Sequence, residues 1–241
     1  MEPGVKIIPT EISFEGFHVI WKKLELWRPF LNNVIVTVCG TFFHVLLSAM
    51  AGYVLIQENL PGKKWMISLI LFTMMIPSET IMIPLYIVNR DLNLLNTLAS
   101  LIIYGLTSGF SILLMRNYFL SIPSSLGESA RMDGAGDWRI FTKIYLPLSK
   151  PGLATVTLFE IVSRWNHFTP ALLYINDDMK YTLQIALQSL IISSDATSSS
   201  DFMTPNVRMA GIMIAIIPLL LIYPFVQKYF LKGIILGATK E

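Results

Sequence analysis

The 241 residues carry 18 Lys and Arg against 16 Asp and Glu, a formal net charge of +2, and 54% are hydrophobic while 14% are charged. Soluble domains hold roughly 25% charged residues, so this composition excludes water as the main solvent, and so small and scattered a charge excludes a nucleic-acid surface. The single cysteine, Cys39, excludes an intramolecular disulfide and a cysteine metal cluster.

The opening residues, MEPGVKIIPTEISFEGF, contain no basic segment followed by an apolar run and do not read as a secretory signal. Residues 1–32 form a polar, partly amphipathic segment, and 33–241 an all-α membrane domain. A helix needs about 20 mostly apolar residues to cross the roughly 30 Å hydrocarbon layer with its backbone amides bonded internally. Five stretches meet this requirement: Asn33 to Ile56, Trp65 to Val88, Thr97 to Phe119, Pro151 to Ile175 and Met209 to Phe230. Pro77, Pro84 and Pro170 can open their helices locally, although lone prolines are also tolerated as kinks.

Lys and Arg concentrate in loops that remain cytoplasmic. Placing Lys63 and Lys64, the segment Arg116 to Lys150 and the C-terminal tail inside leaves Arg90, Lys180 and Arg208 in the outer loops. With five spans, the N-terminal tail, with Lys6, Lys22, Lys23 and Arg28, then falls outside, an arrangement that predicts a missing first span. The Ser-rich stretch Ser193 to Asp201 reads as a flexible connector or a docking surface in the last outer loop.

Between the third and fourth spans, Ile122 to Gly152 is too polar to cross lipid. Pro123 followed by Ser124 and Ser125 signals a helix start with a capping hydroxyl, and Glu128 falls in the expected first turn. The helix runs to about Asp133. Gly134 and Gly136 permit a sharp reversal around Ala135, and Asp137 caps a second helix through Trp138, Phe141, Ile144 and Tyr145 that stops near Pro147. This predicts a cytoplasmic helix, turn and helix, in which Arg131 and Arg139 can pair with acidic residues of a partner.

Charged groups in lipid cost about 2.5 to 3.5 kcal/mol each, so they face a pathway or a partner helix. Glu79 follows Pro77. Glu160 and Arg164 are four apart, which fits an ion pair within one helix as well as a pathway. Trp165, Asn166 and His167 suit sugar contact or an aromatic anchor at the membrane boundary. A phosphate-cradling GxxxxGK[ST] loop is absent from the chain, and PGKK at Pro61 lacks its first Gly and its Ser or Thr. Nor does any zinc pattern or nucleophile elbow stand in the sequence, so neither a catalytic residue nor a metal site is expected.

The segment Glu128, Ser129, Ala130, Gly134, Ile144, Leu146 and Pro147 resembles the EAA loop of permease subunits of binding-protein-dependent ABC importers, with Ser129 in place of Ala. The stretches LPGKKW, TMMIPSETIMIPLY, DLNLLNT, RNYFLSIP, SRWNHF and YPFVQKYFLKGIILGATKE are similar to carbohydrate-uptake permeases of the maltose-permease type, especially those for oligosaccharides and polysaccharide fragments. The resemblance implies a type I importer transmembrane domain with six spans. It implies a coupling turn of Glu128, Ala130, Asp133, Gly134 and Ala135 that inserts into a separate ATP-binding subunit. It further implies a second permease subunit, two ATPase subunits that hold ATP and Mg, an extracytoplasmic solute-binding protein, and a place in the bacterial cytoplasmic membrane. An ATP-independent channel or assembly subunit is the rival reading, and copurification of an ATPase discriminates the two.

Overall fold

The computed structural model describes residues 14–23, 25–196 and 204–238, and every regular element among them is helical. Residues 1–13 and 24 of the expected outer tail and residues 197–201 of the Ser-rich stretch lie outside the described residues; Ser193 to Ala196 belong to a helix.

Helix α1 (Glu15–His18) runs through a π-helical turn (Val19–Lys23) toward α2 (Trp27–Val54). Pro29 lies in the first turn of α2, where a missing N–H costs nothing. The buried side of α2 is small or polar, with Asn33, Thr37, Gly40, Thr41, His44, Ser48 and Gly52, while Val38, Phe42 and Val54 point outward. Helices surrounded by lipid gain nothing from hiding Leu or Phe, and small residues let backbones approach. That side of α2 packs on α6 (Gly109–Leu120) and α10 (Lys150–Trp165).

The expected second, third and fourth spans are each interrupted. The second is α3 (Lys63–Met74) and α4 (Ser78–Asp91), which meet at 100°. Pro77 is extended between them, and the residue before a proline avoids helical geometry; Pro84 is accommodated inside α4. The third is α5 (Leu98–Ile103) and α6, parted at Tyr104 and at Gly105, whose φ is +67°. Each half begins with a hydroxyl cap, Thr97 accepting from the Ser100 amide and Ser108 from the Ser111 amide. The fourth is α10 and α11 (Thr169–Tyr174), with Pro170 in the first turn of α11. Among the described residues, two helices are long and apolar enough to cross a membrane, Trp27–Val54 and Pro205–Pro224, and a third if α3 and α4 count as one.

The chain ends in α12 (Leu183–Ala196) and α13 (Pro205–Ala238). Val19, Ile20 and Leu26 share one core with Trp165, Leu183, Ala186, Val207 and Ala210. The boundary expected at 32/33 therefore falls inside α2 and divides no packing unit, because α2 extends six residues before its most apolar run. A second core holds Tyr53, Met115, Phe119, Ile140, Phe141, Tyr145 and Val156, and a third Val36, Leu101, Ala171, Tyr174, Ile175 and Ile185.

Candidate functional site

Two features concentrate the polar chemistry of the chain: a bent knuckle at one end and a buried ion cluster in the helical bundle. The knuckle starts with α7 (Ser124–Met132), whose N-cap is Pro123. Because Pro123 already has extended ψ, Ser124 and Ser125 are the first two helical residues and their hydroxyls cap nothing. Glu128 is consequently the fifth helical residue, past the expected first turn, and is exposed.

The turn closes by backbone bonds. The Ala135 amide donates to the Ala130 carbonyl at 2.9 Å and the Gly134 amide to the Arg131 carbonyl at 3.0 Å, with Gly134 at φ +78°. These are the paired bonds of a Schellman cap, in which a residue without Cβ takes the left-handed position and an apolar contact joins the flanking residues. Ala130 and Ala135 supply that contact against the second core. The small residues of the motif and its Gly four positions on are thus what one helix terminus demands.

Gly136 begins α8 (Asp137–Ile140), with no side-chain cap from Asp137. Asp137 instead accepts from the Arg131 guanidinium at 3.1 Å, which also donates to Gln57 at 2.7 Å. Arg131 therefore ties both limbs of the knuckle to the end of α2, where the sequence suggested a partner's carboxylate. A π-helical turn (Phe141–Tyr145) and α9 (Leu146–Leu148) carry the helical backbone past Pro147, which sits in a first turn; the break comes at Ser149.

Four rings hold the knuckle in place. Tyr53 of α2 lies 5.1 Å from both Phe141 and Tyr145, and Phe119 of α6 lies 5.8 Å from Tyr145. Gly127 is buried beneath the Tyr145 hydroxyl, and burial pushes the Tyr145 phenol up, so the ring stays neutral. Ile144 and Leu146 are half-buried against this core, while Pro147 is exposed. The outer surface presents Ser129, Asp133, Gly134 and Arg139 together with Leu126, Met132 and Trp138, the last two 88% and 63% exposed. Met132 and Leu126 carry no motif signal; their mark is large apolar character in a segment too polar for lipid.

The second feature centres on Arg164, buried with Glu160 at 2.5 Å. Its guanidinium donates to the carbonyls of Leu101 at 3.0 Å, Ile102 at 3.2 Å and Gly105 at 3.1 Å. His44 lies 2.8 Å from the Gly105 carbonyl, 3.3 Å from Glu160 and 2.8 Å from Ser111. A side chain at Gly40 would overlap the guanidinium. Sequence reasoning found the Glu160 and Arg164 pair but missed Gly40 and His44 of α2, Ser111 of α6, and Gly105 in the break between α5 and α6.

The remaining predicted residues separate. Trp165 is 3% exposed, its indole N–H donates to the Ala215 carbonyl at 2.9 Å, and its ring packs edge-on to Phe30. It offers no open face. Asn166 is exposed and donates to the Val162 carbonyl. His167 is half-buried, 3.2 Å from the Ser163 hydroxyl, with its ring 5.4 Å from Tyr104. Glu79 stands exposed in the first turn of α4, accepting from Ser78 at 3.0 Å.

Residues 44–236, from His44 through the knuckle into α13, match the model of the binding-protein-dependent transport system inner membrane component family. The chain belongs to that family. Among relatives of this permease chain, the polygalacturonan/rhamnogalacturonan transport system permease protein YtcP of Bacillus subtilis is 38% identical over 97% of this chain and 84% of its own length. The arabinooligosaccharides transport system permease protein AraQ of Halalkalibacterium halodurans is 30% identical over 100% of this chain and 85% of its own. A chain from the crystal structure of a bacterial ABC transporter involved in import of the acidic polysaccharide alginate superposes with a TM-score of 0.83, at 34% identity over 95% of this chain and 84% of that one. A chain of the MetNI methionine transporter shares the fold, with a TM-score of 0.60 at 16% identity. The fold is that of type I ABC importer permeases, and the relatives are permeases for sugars and oligosaccharides.

Proposed function

We propose that this chain is a transmembrane permease subunit of an ATP-driven importer that moves oligosaccharides into the bacterial cytoplasm. It pairs with a second permease subunit, receives sugar from an extracytoplasmic binding protein, and takes its energy from two ATPase subunits that hold ATP and Mg. The knuckle is the coupling site. Closure of the ATPase pair pulls on Glu128 to Ala135, and the four-ring cluster passes the pull to α2 and α6, so that the bundle alternates between outward and inward access.

The observation that carries this reading is the knuckle's construction. Its inner side is anchored by Tyr53, Phe119, Phe141 and Tyr145, while its outer side leaves Met132 and Trp138 uncovered. Large apolar side chains left outside a polar segment mark a protein-binding surface. Single cysteines at Met132 and Trp138 should crosslink in intact cells to an ATP-binding subunit. Copurification of the chain without any ATPase, and crosslinks that capture only lipid or the second permease, would leave an ATP-independent channel as the better account.

A further inference from the structure

A cavity of about 480 Å³ lies between the end of α10, α12 and α13, and its lining includes none of the residues of the knuckle or the Arg164 cluster. The larger cavity, about 570 Å³ between α2, α10 and α13, is walled by Val34, Phe42, Leu153 and similar groups and suits hydrocarbon. The smaller one is built differently. Three primary amides, Asn166, Gln184 and Gln188, stand around it, with the Phe168 ring on one side and Leu187 and Ile216 as its apolar wall.

Two of these amides are oriented by the protein. Asn166 donates to the Val162 carbonyl at 2.7 Å and Gln184 to the Trp165 carbonyl at 3.3 Å. Each amide has two N–H groups and a carbonyl oxygen, so acceptors and a second donor remain for a ligand. A primary amide facing hydrocarbon is costly unless bonded, so three around one cavity argue for a hydroxyl-rich occupant rather than a lipid chain. Among the described residues no Lys, Arg, Asp or Glu lines the cavity; these residues read hydroxyl pattern and ring CH surface, not carboxylate charge. Asn166 follows the 16 residues of α10 that rise from the knuckle, about 24 Å at 1.5 Å per residue, so the cavity lies in the half of the bundle remote from the ATPase side.

We infer that this cavity is a glycan contact site of this subunit, in which Asn166, Gln184 and Gln188 bond sugar hydroxyls and Phe168 receives a ring face. The inference rests on the oligosaccharide reading above. It assigns selectivity to hydroxyl geometry, so that acidic and neutral glycans pass the same contact.

The test uses the whole importer in proteoliposomes, with galacturonate oligomers and neutral arabino-oligosaccharides as probes. Gln184→Leu and Gln188→Leu should each raise the KM for the accumulated probe about tenfold, the scale of a lost hydrogen bond to a bound group, with kcat changed far less. Gln188→Asn should recover part of the loss. In a Cys39→Ala background, the thiol of Gln188→Cys should react with a membrane-impermeant maleimide, and the transported probe should slow that reaction. Unchanged KM together with an unprotected thiol, while the wild type accumulates the probe, overturns the cavity's role alone. A wild-type importer that accumulates neither probe overturns the oligosaccharide reading, and the cavity's assignment falls with it.

Discussion

Arg164 donates to the carbonyl of Gly105 at 3.1 Å, supplying at the break between α5 and α6 the bond that another helical turn would have made. A carbonyl left bare in hydrocarbon costs several kcal/mol. The guanidinium covers three carbonyls at once and meets the negative end of α5, while Glu160 balances its charge. Arg164→Met would strand the Leu101 and Ile102 carbonyls and leave Glu160 and the Gly105 carbonyl with His44 alone. Breaking a buried pair costs about 3–5 kcal/mol, so the chain in detergent should melt well below the wild type. Arg164→Lys should rescue little, since an ammonium lacks the planar fork.

Gly40→Ala should destabilise although alanine is the better helix former by about 1 kcal/mol. The new Cβ overlaps the Arg164 guanidinium. Thermal melts of Gly40→Ala alone and combined with Arg164→Met check the cause: the alanine should cost much less once the guanidinium is gone.

Gly134→Asp should abolish uptake while the chain still inserts. At φ +78° a side chain costs about 1–2 kcal/mol, enough to undo the Schellman cap and displace the corner. Gly134→Asn should be the mildest change and Gly134→Val the worst. Uptake assays beside quantified membrane fractions measure both quantities, and normal transport by Gly134→Asp would count heavily against coupling at this turn.

Met132→Ala removes a side chain that is 88% exposed, and Trp138→Ala removes one that is 63% exposed and keeps a ring contact with Phe141 at 5.6 Å. Their effect on the chain's melting should stay within about 0.5 kcal/mol, while retention of the ATPase subunits on purification falls. A parallel drop in melting temperature would instead make these side chains part of the fold.

Asp177 caps the turn Asp178–Lys180, and bonds from Lys180 and the Met179 amide hold its carboxyl below the usual range. A folded-state pKa lowered in this way stabilises above the unfolded value of about 3.9 and is lost as pH falls through the folded value. Exchange of the Met179 amide, corrected for intrinsic rate, should therefore stay level from about pH 8 to 5 and rise only in stronger acid. Asp177→Asn should raise it throughout.

The knuckle was legible because its rules are local. Six residues from Ala130 to Ala135 contain every bond of the cap, and the small residues with Gly134 announce it. The breaks in the spans were legible only where proline enforces them, at Pro77 and Pro170. At Gly105 the break depends on Arg164, 59 positions later, and on His44, 61 positions earlier, and hydropathy reads straight across it. Trp165 misled for a similar reason: an indole beside polar residues suggests an open face, but its N–H is taken by the Ala215 carbonyl of the last helix. The hydroxyls of Ser124 and Ser125 failed as caps because one torsion of Pro123 moved the helix start by a single residue.

Helix α2 meets the aromatic rings through Tyr53 and the Arg164 guanidinium through Gly40, thirteen residues and about 20 Å apart on one unbroken rod. A rod seated in two sockets cannot be tilted at one without levering the other. On the importer reading proposed above, the shape of the far mouth and the seating of the motor are geared to each other, and slack introduced anywhere between them would show as fuel burned without cargo moved.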